Sequence, residues 1–183
     1  MPLINDTGFV ADTWVRVGAD EAFPEADSII VPFSRIEEAL SLPSPLAGEG
    51  DPKDRVRGKK QHLGIHIPNT TLPAILAPYF NNLALISIEF PSFADGRGFS
   101  IARAIRNAGF TGELRAFGPL IADQYAYARS CGFNTIDVPQ ELAARQPEAQ
   151  WKNASQSLSL SYQRSYVHGA NILDQRRKKS GVV

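Results

Sequence analysis

Cysteine is nearly absent. Cys131 is the only one in 183 residues, so the chain's own thiolates make no internal disulfide, zinc knuckle or iron–sulfur cluster. Excess charge is absent too: 19 Lys+Arg stand against 19 Asp+Glu, which argues against a generally basic nucleic-acid binder. No apolar run approaches the roughly 20 residues a membrane span needs. The start, Met1-Pro2-Leu3-Ile4-Asn5-Asp6, has neither a basic flank nor a signal-peptide core. The expectation is a soluble, cytoplasmic protein with no membrane and no nucleic-acid partner. What is present suffices for one ordinary domain, burying roughly 70% of the surface its unfolded form exposes.

The balanced total conceals an asymmetry. Met1 to Asp54 holds eleven acids and three bases, and the remainder is correspondingly basic, a pattern of solvated surface or of attraction between segments. Phe9 to Val17 alternates β-branched and aromatic residues and reads as a strand or hairpin arm. Ser28 to Pro32 is a short apolar strand, with Ser34 placed to cap a helix through Leu40. Leu42 to Pro52 sustains neither helix nor ladder. The division expected is an N-terminal β arm over 1–27, an α/β domain over 28–163 with a mobile linker at 41–61, and a basic tail over 164–183.

From Leu63 onward the pattern is regular. Leu63 to Ile67, Leu83 to Phe90, Leu114 to Gly118 and Thr135 to Val138 read as strands. Between them lie helices at Pro73 to Phe80, Phe99 to Ala108 and Ala122 to Cys131, the last two stopped by Gly109 and Gly132. Leu83 to Phe90 is almost unbroken in apolar residues, as expected of a parallel strand covered on both faces. Arg106-Asn107-Ala108-Gly109-Phe110 and Arg129-Ser130-Cys131-Gly132-Phe133 repeat one another 23 residues apart, the length of one βα unit. The fold class is α/β, a parallel sheet of repeated βα units: an open Rossmann-like or flavodoxin-like sheet, or a partial TIM barrel. Glu148 to Ser155 reads as helical and Ser157 to Tyr162 as an edge strand. Arg176 to Ser180 reads as solvated tail.

Ligands gather outside the carboxyl ends of parallel strands. Those ends carry His66 with Asn69, Thr70 and Thr71; Glu89 with Asp95 to Gly98; Gly118; and Asp137. Asp95-Gly96-Arg97-Gly98-Phe99-Ser100 opens a helix whose first N–H groups lack intrahelical partners, and with Arg97 they form a cradle for an oxyanion. Asp95 capping the helix or pairing with Arg97 is the structural alternative. The ligand-binding candidates are Asp95, Gly96, Arg97, Gly98, Ser100, Arg103, Arg115 and Gln124; Asp95, Asp123 and His66 are the acid/base candidates. Arg103 and Arg106 share a helix face turned to solvent or a partner's carboxylates. Arg115 on a central strand requires a paired acid, with Glu89 and Asp95 as the natural partners. No cofactor is identifiable: Ile101 stands where G-x-G-x-x-G has its third glycine, the next strand ends at Gly118 and not in an acid, and no Walker-type loop exists. No metal-ligand pair is visible, and Cys131 at a helix C-terminus reads as inert.

Phe90 to Arg103, with Gly112-Glu113-Leu114-Arg115-Ala116, Asp123-Gln124 and Cys131-Gly132-Phe133, resembles the bacterial family called domain of unknown function 934, over roughly Ser28 to Gln163. Its members carry F-x-D-G-R-G-[FY]-S-x-A-R and are labelled as oxidoreductases of sulfite reduction, because their genes lie beside those for the sulfite reductase haemoprotein and adenylylsulfate reductase. The resemblance implies an accessory protein of assimilatory sulfate and sulfite reduction acting with that haemoprotein. The alternative is a small enzyme acting on a sulfur oxyanion or phosphorylated substrate, so whether the chain is an enzyme stays open, as does a homo-oligomer. Many members have an acid after the strand glycine where this chain has Gly118-Pro119.

Overall fold

A computed structural model describes residues 1–42 and 61–156. Of the linker read at 41–61, residues 43–60 lie outside the described residues, as do the strand read at 157–162 and the basic tail; Ser41 ends a helix. The described residues build one eight-stranded sheet with helices between its parallel strands. Its strands are β1 (Leu3–Asn5), β2 (Gly8–Val10), β3 (Val15–Arg16), β4 (Ser28–Pro32), β5 (His62–Ile67), β6 (Leu85–Glu89), β7 (Glu113–Phe117) and β8 (Thr135–Asp137), in the order β2-β1-β8-β7-β6-β5-β4-β3. From β3 to β8 the strands are parallel and follow chain order; β1 runs antiparallel to both β8 and β2.

Strands added always on the same side do not produce the reversal that defines a doubly wound sheet. The sheet instead curls. On a flat sheet β3 and β8 would lie five spacings apart, about 24 Å at roughly 4.8 Å each. Yet Arg16 Nη2 of β3 reaches Asp137 Oδ2 of β8 at 3.1 Å. Of the two architectures left open by the pattern, the partial barrel is the one formed.

Register gives the two faces their characters. Ile65, Ile86, Leu114, Ala116 and Ile136 lie side by side on the convex face and are buried under the helices. The concave face carries His66, Ser87, Arg115 and Thr135 in one row, then Glu89, Phe117 and Asp137 in the next. The strand within Leu83 to Phe90 is parallel and covered on both faces, as its apolar run predicts, with Leu85, Ile86, Ser87 and Ile88 all buried; Ser87 and Glu89 alternate with Ile86 and Ile88 because the pleat has period two.

Helix α1 (Ile36–Ser41) follows a 3-10 turn at Phe33–Arg35, and no side chain caps either, so Ser34 does not act as the cap. Pro73–Tyr79 is a 3-10 helix containing Pro78, whose missing N–H and ring bulk disfavour an α-helix there. Helices α2 (Arg97–Asn107) and α3 (Ala122–Cys131) match the apolar stripes, with Gly109 and Gly132 beyond their ends at φ +97° and +106°. Two further helices, α4 (Gln140–Arg145) and α5 (Glu148–Gln156), complete the described chain. Among the described residues no helix is long and apolar enough to cross a membrane.

Candidate functional site

At the start of α2 the loop is pinned on several sides. Ser92 Oγ accepts the N–H of Ala94 at 3.2 Å and Ser92 O that of Asp95 at 3.1 Å. Asn69 Nδ2 donates to Asp95 Oδ2 at 2.8 Å, joining the loop to the one after β5. Gln124 works twice: its Oε1 accepts the Ile121 N–H at 3.2 Å, closing the first turn of α3, and its Nε2 donates to Phe93 O at 2.7 Å. Gly98 sits against the ring of Phe90, where a Cβ would lie 2.4 Å from Cζ. That glycine serves helix–strand contact, not the approach of a ligand.

The donors expected to hold an oxyanion meet the chain's own carboxylate. Asp95 Oδ1 accepts the Arg97 backbone N–H at 3.1 Å, and Arg97 Nη2 donates to Asp95 Oδ2 at 2.6 Å. The Arg97 guanidinium holds the Asp95 carboxyl well below the usual carboxylate range. An incoming anion here competes with Asp95 for Arg97. The outer part of the loop is free: the Arg97 side chain is 61% exposed, Phe93 is 55% exposed, and Gly96 and Ser100 face solvent.

The remaining candidates are distributed elsewhere. Arg115, 1% exposed, pairs with Asp12 at 2.7 Å and Glu113 at 3.1 Å. Its expected partners Glu89 and Asp95 are thus corrected: Glu113 shares its strand and face, and Asp12 arrives with the segment that enters β3. Arg106 is not turned to solvent, because it donates to the carbonyls of Gly132, Phe110 and Gly112 and to Asn134 Oδ1. Arg103 reaches Ser130 O at 3.3 Å. Asp123 is exposed on the first turn of α3. Cys131 is buried.

His66 stands in the concave face with residues that sequence reasoning left apart. Its Nδ1 lies 3.2 Å from Ser87 Oγ, and its ring meets Phe117 edge-on at 5.1 Å. Arg16 lies over Phe117, 4.1 Å from guanidinium carbon to ring centroid, and donates from Nη2 to Ser87 Oγ and Asp137 Oδ2. Burial and the nearby Arg16 charge push the His66 pKa down to about 4, so the imidazole is neutral at pH 7. Burial raises the Asp137 pKa in spite of Arg16. Arg16 and Ser87 are the members the sequence reading did not single out. The signal available was a polar residue at every second position of consecutive strands: His66, Ser87, Arg115, Asp137.

The sequence model described as "Bacterial protein of unknown function (DUF934)" matches residues 64–172, more than half of the chain. No curated protein and no solved structure matches it.

Proposed function

The chain belongs to the DUF934 family of bacterial proteins, and from that membership we propose that it is an accessory protein of assimilatory sulfite reduction that docks onto the sulfite reductase haemoprotein. The partner is the one implied by the gene neighbourhood of the proteins it resembles. One observation supports docking as the mode of action: the loop that carries the family-specific stretch presents Phe93 and Arg97 outward while Ser92 and Gln124 hold its backbone and Asn69 holds the Asp95 carboxylate. Gly98, Phe99 and Ala102 of the same stretch are buried and have a packing role. Phe93 and Arg97 have exposed side chains, and the Tyr127 ring on α3, also exposed, packs on Phe99 of the same stretch at 4.9 Å. An aromatic and an arginine on a rigid loop lose little freedom on binding, and such residues carry most of an interface's energy.

The purified chain mixed with the haemoprotein is expected to form a complex on a sizing column and to alter sulfite turnover. Phe93→Ser should weaken the complex by at least about 2 kcal/mol, roughly 30-fold, as hot-spot aromatics do, with little change in melting temperature because the ring is already in water. In cells, deletion of the gene should be rescued by cysteine but not by sulfite as sole sulfur source. No complex and an unchanged turnover would remove the reading.

A further inference from the structure

We infer that the concave face around Arg16, His66, Ser87 and Asp137 binds a small oxyanion that still carries a proton, of the hydrogen phosphate or hydrogen sulfite kind. The inference follows from counting the hydrogen-bonding capacity these groups leave unspent. Arg16 is 30% exposed and uses only Nη2 on Ser87 and Asp137. Its Nε and Nη1 have no partner among the described residues, so part of a guanidinium held over the Phe117 ring is offered outward. Ser87 Oγ receives an N–H from Arg16 and lies 3.2 Å from His66 Nδ1; in the tautomer in which Ser87 donates to Nδ1, the neutral imidazole carries its proton on Nε2. These are two donors suited to deprotonated oxygens.

Acceptors are left over as well. Asp137 gives Oδ2 to Arg16, but its Oδ1 is buried without a hydrogen-bond partner among the described residues, with the side chain only 4% exposed. Leaving such an acceptor unmet is costly, and a donor from a ligand hydroxyl meets it. Glu89 lies two residues beyond Ser87 on the same face, beside Phe117, and has no partner among the described residues. Arg115, Asp12 and Glu113 beside this cluster are occupied with one another, and the Met1 amino group adds a positive charge near Asp137. An oxyanion bearing both an ionised oxygen and a hydroxyl satisfies both sets of groups. Fully deprotonated sulfate would turn lone pairs toward the carboxylates of Asp137 and Glu89. The inference uses different residues from the docking loop, and either reading can fail alone.

Calorimetric titration of the full chain with sodium phosphate, sodium sulfite and sodium sulfate, at pH 7 and matched ionic strength, tests it. Phosphate or sulfite is expected to bind at least tenfold more tightly than sulfate, and the tighter of the two identifies the source of the ligand. Asp137→Asn, which places an amide N–H where the orphan acceptor was, should bring sulfate to within about threefold of the preferred ion. Arg16→Gln should abolish binding of all three. Should either variant fail to fold, the unsubstituted chain still decides: its His66 ring resonances must follow the titration. Sulfate binding as tightly as the others, no binding by any of the three, or unmoved His66 resonances overturns the inference.

Discussion

His66 links burial to pH. In the unfolded chain it titrates near 6.5, and in the folded chain burial, then the charge of Arg16, brings this down to about 4. As pH falls, the unfolded state takes up the proton first, so stability rises with pH across this window. The His66 contribution is complete above about 6.5 and drains away as pH falls toward 4. Urea midpoints measured at pH 7, 5.5 and 4.5 should therefore fall less steeply for His66→Gln than for the parent chain. Asp137, with its raised pKa, works in the opposite sense, and the comparison of variant with parent cancels it. Equal slopes would show that the imidazole is not held neutral by its surroundings.

Between elements, arginine works as a connector to carbonyls. The repeated helix exits show how: Arg106 Nη1 donates to Phe110 O and Arg129 Nη1 to Phe133 O, each four residues ahead, across the left-handed glycine. Those carbonyls lie beyond the helix end, where intrahelical donors are missing. Arg115 connects differently, through ion pairs that hold the segment entering β3 against β7. Asp12→Ala leaves the buried guanidinium with Glu113 alone. Breaking a buried pair costs about 3–5 kcal/mol. With Glu113 retained and Asp12 23% exposed, a loss of about 2 kcal/mol is expected from urea unfolding. A change below about 0.5 kcal/mol would mean that the pair does not hold this segment, since exposed surface pairs, at about 0.2–1 kcal/mol, already reach that value.

Across the whole molecule, the N-terminus completes the sheet. β1 lies between β8 and β2, burying Leu3 and Ile4, and Asp6 accepts from Tyr125 Oη at 2.8 Å and pairs with Arg129. Removing 1–10 exposes the β8 edge and forfeits about 5 kcal/mol of side-chain burial, taking roughly 1.5–3 kcal/mol for each of the two residues. For a chain of this size that corresponds to a melting temperature lower by about 10–20 °C. Thermal unfolding of the truncated chain checks it; a shift under about 5 °C would make the N-terminal strands dispensable.

Sequence alone determined the βα rhythm, because helix stripes, stop glycines and short β runs are local and each is set by residues within a few positions. Helix α3 falls where its pattern puts it, and β5 to β8 follow with shifts of a residue or two at their ends. The 3-10 turn before α1 was not legible, since whether a serine caps depends on where the first helical N–H groups point. Sheet curvature was decided only in three dimensions. It depends on which edge each strand joins, and no local pattern records that choice. Curvature also decided the membership of the concave cluster: Arg16 and Asp137 are 121 residues apart in the chain, and only a sheet curled back on itself brings the first and last of its parallel strands within reach of one ion pair.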